Sequence, residues 1–490
     1  MTLVHRVDFP EQIGSLTEYM RHRGGRGLTA AQSMTSDQII DVVLASGLRG
    51  RGGAGFPTGR KWRTVADMHS SELPTSVVIN AAEGEPGTFK DRHLLRIDPY
   101  QVIEGALIAA RAVKANEVII ALKKINVEHQ QILARAIDEV LEAGWADGVD
   151  VHVVLGPDEY LFGEESALLE VVDGRNPFPR IAPPYRRGVV ELVDTAADIG
   201  TKSGLSAHVH MAGAAGDAPP ALVNNVETIS NVAHILARGA DWFKTLGTEK
   251  STGTFLCTVT GATIREGIGE VIAGTPLSEV IEEIGGGMAP ERWIKAIISG
   301  VSNRVITADL LETPVSYEAM QPLGIGPGSG GFIVFDDQTD MISVAAGVAE
   351  FLAIESCGQC SPCKFDGLEI ANKLAALCRN EASPQDWKAI EHRLDTVATG
   401  ARCALASQQQ STVASILEVF ADEVEAHLAK TAAPVTPFLV AELRDLADGV
   451  AVWDERHADK QADWSYDTSW SGTVPADLFG DHREGGKLAE

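Results

Sequence analysis

Three cysteines within seven residues constrain this chain more than any other feature of its sequence. In Glu355-Ser356-Cys357-Gly358-Gln359-Cys360-Ser361-Pro362-Cys363, the Cys-x2-Cys-x2-Cys spacing lets three thiolates converge on one face of a metal cluster. A fourth ligand is needed, and Lys364-Phe365-Asp366-Gly367 supplies none. The fold must therefore bring in a remote cysteine. Cys403 is the expected one, because Gly400-Ala401-Arg402 before it reads as a break between helices. Cys378 in a helical run and Cys257 in a strand read as small core residues. Zinc also accepts four thiolates. Structural zinc sites more often use paired Cys-x2-Cys knuckles, so a [4Fe–4S] cluster is the preferred reading. Six cysteines in 490 residues are too sparse for a disulfide scaffold.

Charge narrows the function classes. The 41 basic and 68 acidic residues leave a net charge of −27. Such a chain repels phosphate backbones and anionic lipid, which argues against nucleic-acid partners and direct membrane binding. The longest apolar stretches, near Val102–Val113 and Val344–Ile354, are broken by Glu104, Arg111 and Glu350. No membrane-spanning helix is expected. Met1 to Pro10 carries His5, Arg6 and Asp8 with no apolar core, so a signal peptide is not expected. The expected location is cytoplasmic, with any membrane link made through partners.

At about 150 residues per domain, the length suggests about three domains. Residues 1–35 read as a loose lead-in with a basic, glycine-rich turn, Arg21-His22-Arg23-Gly24-Gly25-Arg26. Strands at 76–80, 117–121 and 151–155 alternate with helices at 99–114 and 127–143, an α/β pattern with parallel strands. Between 183 and 225, Arg186–Val193 could be a strand, while His208, His210 and the run 212–220 read as loop. A small α+β unit follows at about 250–335, then a helical stretch at 345–430. Residues 431–490 are acidic and hold Trp453, Trp464 and Trp470, three of the eight tryptophans. They read as a packed or partner-binding extension more readily than as a disordered tail.

Three loops stand out. Gly50-Arg51-Gly52-Gly53-Ala54-Gly55 fits Gly-x-Gly-x-x-Gly, but it follows a helix where the dinucleotide fingerprint follows a strand. Bare backbone N–H groups beside Arg49, Arg51, Arg60 and Lys61 would still cradle phosphates, and Phe56 can stack on a planar ring. Asn80-Ala81-Ala82-Glu83-Gly84-Glu85 leaves a strand end, where α/β folds bind ligands; an acidic surface turn is the plain alternative. Tyr160-Leu161-Phe162-Gly163-Glu164-Glu165 opens a helix whose dipole by itself accounts for the two acids.

The ordered set Gly-Arg-Gly-Gly-Ala-Gly-Phe-Pro-Thr-Gly (50–59), Asn-x-x-Glu-x-Glu-Pro-Gly-x-Phe-Lys-Asp-Arg (80–92), Gly-Glu-Glu-Ser-Ala-Leu (163–168), Asn-Asn-Val-Glu-Thr (224–228) and Glu-Ser-Cys-Gly-x-Cys-x-Pro-Cys (355–363) resembles the 51 kDa-type flavoprotein subunit of NADH:quinone oxidoreductase, respiratory complex I. Diaphorase subunits of NAD-linked hydrogenases and formate dehydrogenases share the same module. The likeness covers about 35–430.

The resemblance implies an α/β multidomain fold: a Rossmann-like FMN/NADH-binding domain at 36–245, a β-grasp (SLBB-like) domain at 250–335, and a helical [4Fe–4S]-binding bundle at 345–430. The lead-in 1–35 and the acidic extension 431–490 flank them. It implies an NADH dehydrogenase with FMN, NAD and one [4Fe–4S] cluster. Its expected partners are a thioredoxin-fold [2Fe–2S] subunit of the 24 kDa type and further subunits of a multi-subunit oxidoreductase. Gly50, Arg51, Gly52 and Lys61 would line the FMN phosphate and NADH site, with Phe56 stacking on a ring. Asn80, Glu83, Tyr160, Gly163, Glu164, Glu165, Asn224, Asn225 and Thr228 would hold FMN. Glu83, Glu85 and Glu165 would lie near NADH, and Cys357, Cys360, Cys363 and Cys403 would ligate iron. No catalytic acid or base is implied. The chain departs from the family at Ala82, where Asp is usual, at Phe162, where Cys is usual, at Gly156-Pro157-Asp158-Glu159-Tyr160, and in a longer 184–224 connection. Two alternatives stay open: a hydrogenase or formate dehydrogenase diaphorase, and an electron-transfer or scaffold subunit that no longer binds NADH.

Overall fold

A computed structural model describes residues 3–181, 189–193, 207–211 and 219–480. Six strands come first: β1 (Ser76–Ala81), β2 (Glu117–Lys123), β3 (Asp150–Gly156), β4 (Val189–Val193), β5 (Ala207–Met211) and β6 (Ala221–Asn225). Four of them make a parallel sheet in the order β3-β2-β1-β6. β1 and β2 are buried almost throughout, which explains why their sequences are continuous apolar runs. The helix Pro99–Val113 lies against them, and all of its residues but Arg111 are buried. Strand order reverses between β1 and β6. In a doubly wound sheet that is where ligands bind, outside the carboxyl ends of the strands.

The lead-in is not loose. It forms helices Leu16–Arg21 and Arg26–Gln32 and buries Val7, Ile13, Leu16, Tyr19 and Leu28 in the same core as the parallel sheet. Gly27 lets the second helix approach the helix Val226–Arg238 closely, since a Cβ there would come within 2.3 Å of the Ala233 carbonyl oxygen. His208 and His210, read as loop, lie in β5, which pairs antiparallel with β4. The run 212–218 lies outside the described residues.

A mixed sheet follows, with β7 (Thr254–Gly261), β8 (Gly267–Ile272), β9 (Ile294–Ile298), β10 (Ile306–Thr307) and β11 (Gly331–Asp336) in the order β10-β9-β11-β7-β8. β7 and β11 are parallel and the remaining pairs antiparallel. The helix Leu277–Gly285 buries Leu277, Val280, Ile281 and Ile284 in the core of this unit. Beyond it the helix Met341–Glu355, buried along nearly its whole length, forms the axis of a helical unit. Asp340 caps its start by accepting from the N–H groups of Ile342 and Ser343.

The acidic extension is packed as far as residue 480. β12 (Leu443–Ala447) and β13 (Val450–Trp453) form a hairpin whose Leu443 and Leu446 bury with Phe89. Trp464 is buried near Phe178, and its indole N–H donates to the Ile354 carbonyl at 3.0 Å. Among the described residues no helix is long and apolar enough to cross a membrane.

Candidate functional site

A cleft of about 460 Å³ opens at the β1/β6 switch point. Its walls come from the ends of both strands, from the glycine loop, from the Tyr160–Glu164 turn, from the mixed-sheet unit (Ser302, Asn303, Gly328) and from the helical unit (Cys403, Leu405, Gln408). Of the residues expected to bind cofactors, Gly52, Asn80, Glu83, Glu85, Tyr160, Gly163, Glu164 and Asn225 line it.

The glycine loop presents backbone. Gly53 has φ +123 and nothing within 4 Å of where a Cβ would stand, so its amide surface is open. Gly55, at φ +62, packs so close to Tyr317 that a Cβ would meet the ring at 2.3 Å. The Tyr317 hydroxyl donates to the Gly50 carbonyl at 2.7 Å and holds the loop from the mixed-sheet unit. Arg51 does not offer its guanidinium to the cleft. It donates to the carbonyls of Thr252 (2.9 Å), Thr254 (3.1 Å) and Arg49 (3.0 Å), with its plane 4.3 Å from the Phe255 ring centre. Its backbone N–H donates to the Thr228 hydroxyl at 2.8 Å, so Thr228 sits behind the loop, and neither it nor Gly50 is among the lining residues. Asn224 is also set back, accepting from the Trp62 indole at 2.8 Å. Phe56 is exposed, and Lys61 pairs with Glu165; none of the three is among the lining residues.

The strand-end loop is fixed by charge. Glu83 accepts from the N–H of Asp91 at 2.9 Å and from the Arg92 guanidinium at 2.9 Å. Burial acts to raise the Glu83 carboxyl, but Arg92 and Lys90 carry it below the ordinary value. Lys90 is fully buried between Asp91 (2.7 Å) and Glu227 (2.9 Å). Burial alone would lower its ammonium; the surrounding carboxylates raise it and hold it charged. Asp91 reaches the cleft, and burial pushes its carboxyl up. Sequence reasoning gave Lys90, Asp91 and Glu227 no role. The signal was three consecutive charges, Lys90-Asp91-Arg92, directly after an apolar strand and its loop.

Glu85 joins the parallel-sheet and mixed-sheet units, and Asn80 ties two segments of the first. Glu85 accepts from the Tyr160 hydroxyl (2.7 Å), the Ser302 hydroxyl (2.5 Å) and the Val301 N–H (2.8 Å), yet burial still raises its carboxyl. Asn80 donates to the Gly163 carbonyl at 2.8 Å. Glu164 is the N-cap of the helix Glu165–Val172, accepting from the Ala167 N–H at 2.8 Å.

Cys357, Cys360, Cys363 and Cys403 line one cavity together with Leu161 and Leu405. Cys403 comes from the turn between the helices Pro384–Thr396 and Leu405–Gln408, so the remote cysteine does reach the triplet. Cys257 and Cys378 are buried elsewhere. Lys364 is fully buried beside the cluster of thiols, donating to the carbonyls of Ala353 (2.9 Å), Ile354 (3.1 Å) and Ser356 (2.9 Å). Leu161, Cys403 and Leu405 line both the cysteine cavity and the cleft, so the two share a wall.

Comparison with known proteins agrees with this geometry. A family model described as the Nuo51 FMN-binding domain matches residues 43–234. Another, the NADH-ubiquinone oxidoreductase-F iron-sulfur binding region, matches 343–427. A crystal structure of an NAD+-reducing [NiFe]-hydrogenase in the H2-reduced state superposes with a TM-score of 0.71 at 30% identity, covering 85% of this chain and 67% of that one. An NADH-quinone oxidoreductase F subunit of Rhizobium meliloti, designated F 2, is 34% identical over 88% of this chain and 98% of its own length. The F subunit of Aquifex aeolicus is 34% identical over 88% of this chain and 95% of its own. With identity sustained over nearly the whole of both sequences, the chain belongs to the family of NADH-quinone oxidoreductase F subunits.

Proposed function

We propose that this chain is the NADH-oxidising subunit of a multi-subunit oxidoreductase, holding FMN and NADH in the switch-point cleft and one [4Fe–4S] cluster on Cys357, Cys360, Cys363 and Cys403. The shared wall of Leu161, Cys403 and Leu405 carries the reading, because it sets the cleft directly against the four thiols. The donor set suits these groups: an open glycine-loop backbone for phosphate, polar strand ends for a heterocycle, and four converging thiols for iron. Flavin supplies the conversion between the two-electron chemistry of nicotinamide and the one-electron chemistry of a cluster.

The chain's own residues bind and orient. Gly50, Gly52 and the Arg51 backbone shape the phosphate cradle, with Lys61 and Phe56 at its outer edge. Asn80, Glu83, Tyr160, Gly163, Glu164, Asn225 and, behind them, Asn224 and Thr228 fix the flavin side, with Glu165 further out. Glu83, Glu85 and Glu165 would lie near NADH. No side chain need exchange a proton, so no catalytic residue is assigned. The units are read as a Rossmann-like domain at 36–245, a β-grasp (SLBB-like) domain at 250–335, supported by the mixed sheet with its central parallel pair, and a helical cluster domain at 345–430. A thioredoxin-fold [2Fe–2S] subunit of the 24 kDa type is the proposed neighbour. The assembly would sit in the cytoplasm, reaching a membrane only through other subunits. The hydrogenase likeness favours a second reading for the parent complex, a hydrogenase-type diaphorase.

Cys403→Ser tests the proposal. The variant should lose iron and the broad iron–sulfur absorbance yet keep its flavin and its NADH–ferricyanide activity. Unchanged iron per chain would remove Cys403 as the fourth ligand.

A further inference from the structure

The basic turn at 21–26 plays no part in the function above, and the structure folds it over a separate cavity of about 250 Å³. Arg23, Arg26 and Arg238 line this cavity, along with the rings of Phe9, Tyr19 and Trp242. None of the three arginines pairs with a carboxylate among the described residues, in a chain with 68 acidic residues. The turn is held by Glu104, which accepts from the N–H groups of Gly25 (2.8 Å) and Leu28 (2.9 Å) and from the Tyr19 hydroxyl (2.6 Å). Glu104 is thus saturated by donors, which leaves the arginines available.

The walls are set in advance. The Trp242 ring lies 4.2 Å from the Arg6 guanidinium and 4.6 Å from that of Arg238. Arg6 is anchored in turn on the Phe243 carbonyl (3.1 Å) and the Thr245 hydroxyl (2.8 Å). His234, nine-tenths buried, also lines the cavity. Its Nε2 faces Gln101 Oε1 at 3.0 Å, and Gln101 Nε2 donates to the Val7 carbonyl at 2.9 Å. The glutamine is thereby fixed, Nε2 carries the hydrogen, and Nδ1 is a bare acceptor with no partner among the described residues. Burial, with Arg238 and Arg6 nearby, lowers the ring to about 3, so it stays neutral and can accept from a hydroxyl or amine.

Unpaired guanidinium forks suit phosphate oxygens. The Arg238 guanidinium plane over Trp242 and the Phe9 ring can flank a flat ring, and a neutral acceptor suits a sugar hydroxyl or a base amine. At about 250 Å³ the cavity is roughly half the size of the flavin cleft at about 460 Å³, which favours a mononucleotide over a dinucleotide. We propose that this cavity binds a small phosphate-bearing anion with a flat ring, of nucleoside monophosphate class. The site is distinct from the flavin cleft. The first turn of the helix Val226–Arg238 places Thr228 behind the cleft, and its last turns, Ala233 to Arg238, line this cavity, about 8–15 Å further along its axis at 1.5 Å per residue.

Calorimetric titration of AMP into the cofactor-loaded full chain tests this, at low salt and with saturating NAD+ to block the other cleft. One AMP should bind per chain, and more tightly than inorganic phosphate. The Arg26→Gln/Arg238→Gln double variant should bind it at least about ten-fold more weakly, with flavin content and NADH–ferricyanide activity unchanged. Absence of AMP binding to the parent chain, equal binding by the double variant, or displacement by NAD+ would overturn the site. Inorganic phosphate binding as tightly as AMP would overturn the nucleotide assignment.

Discussion

Asp98 accepts from the N–H groups of Tyr100 (3.0 Å) and Gln101 (3.3 Å) to cap the helix Pro99–Val113, while its Oδ2 is buried with no partner. Burial outweighs those two bonds and raises its carboxyl from an ordinary 3.8 to about 8. The folded chain therefore holds a proton that the unfolded chain releases, and this group costs stability progressively as pH rises from about 4 to about 8. Asn is an equally good cap without the charge. Melting curves should show Asp98→Asn gaining over the parent chain across that range; a pH-independent difference would refute the linkage. A second residue-scale test lies in the core. A Cβ on Gly156 would come within 2.2 Å of the Phe162 ring. Gly156→Ala should cost about 1–3 kcal/mol, and much less in a Phe162→Leu background, in a double-mutant cycle read by denaturant unfolding. Arg51 shows where residue-level reading stops. Its charge beside four glycines looked like a phosphate contact, but its guanidinium is taken by the carbonyls of Thr252 and Thr254, 201 and 203 positions away. Nothing local in the sequence marks that tie.

Elements of the parallel sheet were the legible ones. β1 and β2 occur within two residues of their expected spans, because a parallel sheet between helix layers leaves unbroken apolar runs. β3, at the sheet edge and only partly buried, keeps enough of that run to be placed within a residue. β6 was not foreseen: Ala221-Leu222-Val223 is a short run, and Asn224-Asn225 behind it reads as turn. The lead-in helices, of six and seven residues around a glycine-rich turn, are too short to show a periodic face. The extension gave a partial signal in its tryptophans. Its structure says what they do: Lys460 donates to Glu355 at 2.6 Å, two residues before the cysteine triplet, Trp464 bonds Ile354, and the Ala476 N–H donates to the Cys357 carbonyl at 2.9 Å. This segment clasps the cysteine loop. Trp464→Ala should destabilise the chain by about 3–5 kcal/mol and speed iron loss to a chelator. Iron release at the parent rate would show that the clasp has no hold on the cluster loop.

At the scale of the whole molecule, no single unit makes the site. The parallel-sheet unit supplies Asn80, Glu83 and Glu85; the mixed-sheet unit supplies Val301 and Ser302 to hold Glu85; the helical unit supplies Cys403, Leu405 and Gln408. The motifs named eight residues that line the cleft and the four cysteines that line one cavity, but only the packing of three units shows that the cleft and the four thiols share a wall. That wall matters most, since it makes one chain both the acceptor of a nicotinamide's electrons and their exit. The most direct test is an anaerobic titration of the purified chain with NADH, followed by absorbance. The expected result is a flavin band that bleaches on the first equivalents, with the broad iron–sulfur absorbance falling in step. An iron-loaded, flavin-containing protein whose spectrum NADH leaves unchanged would contradict it.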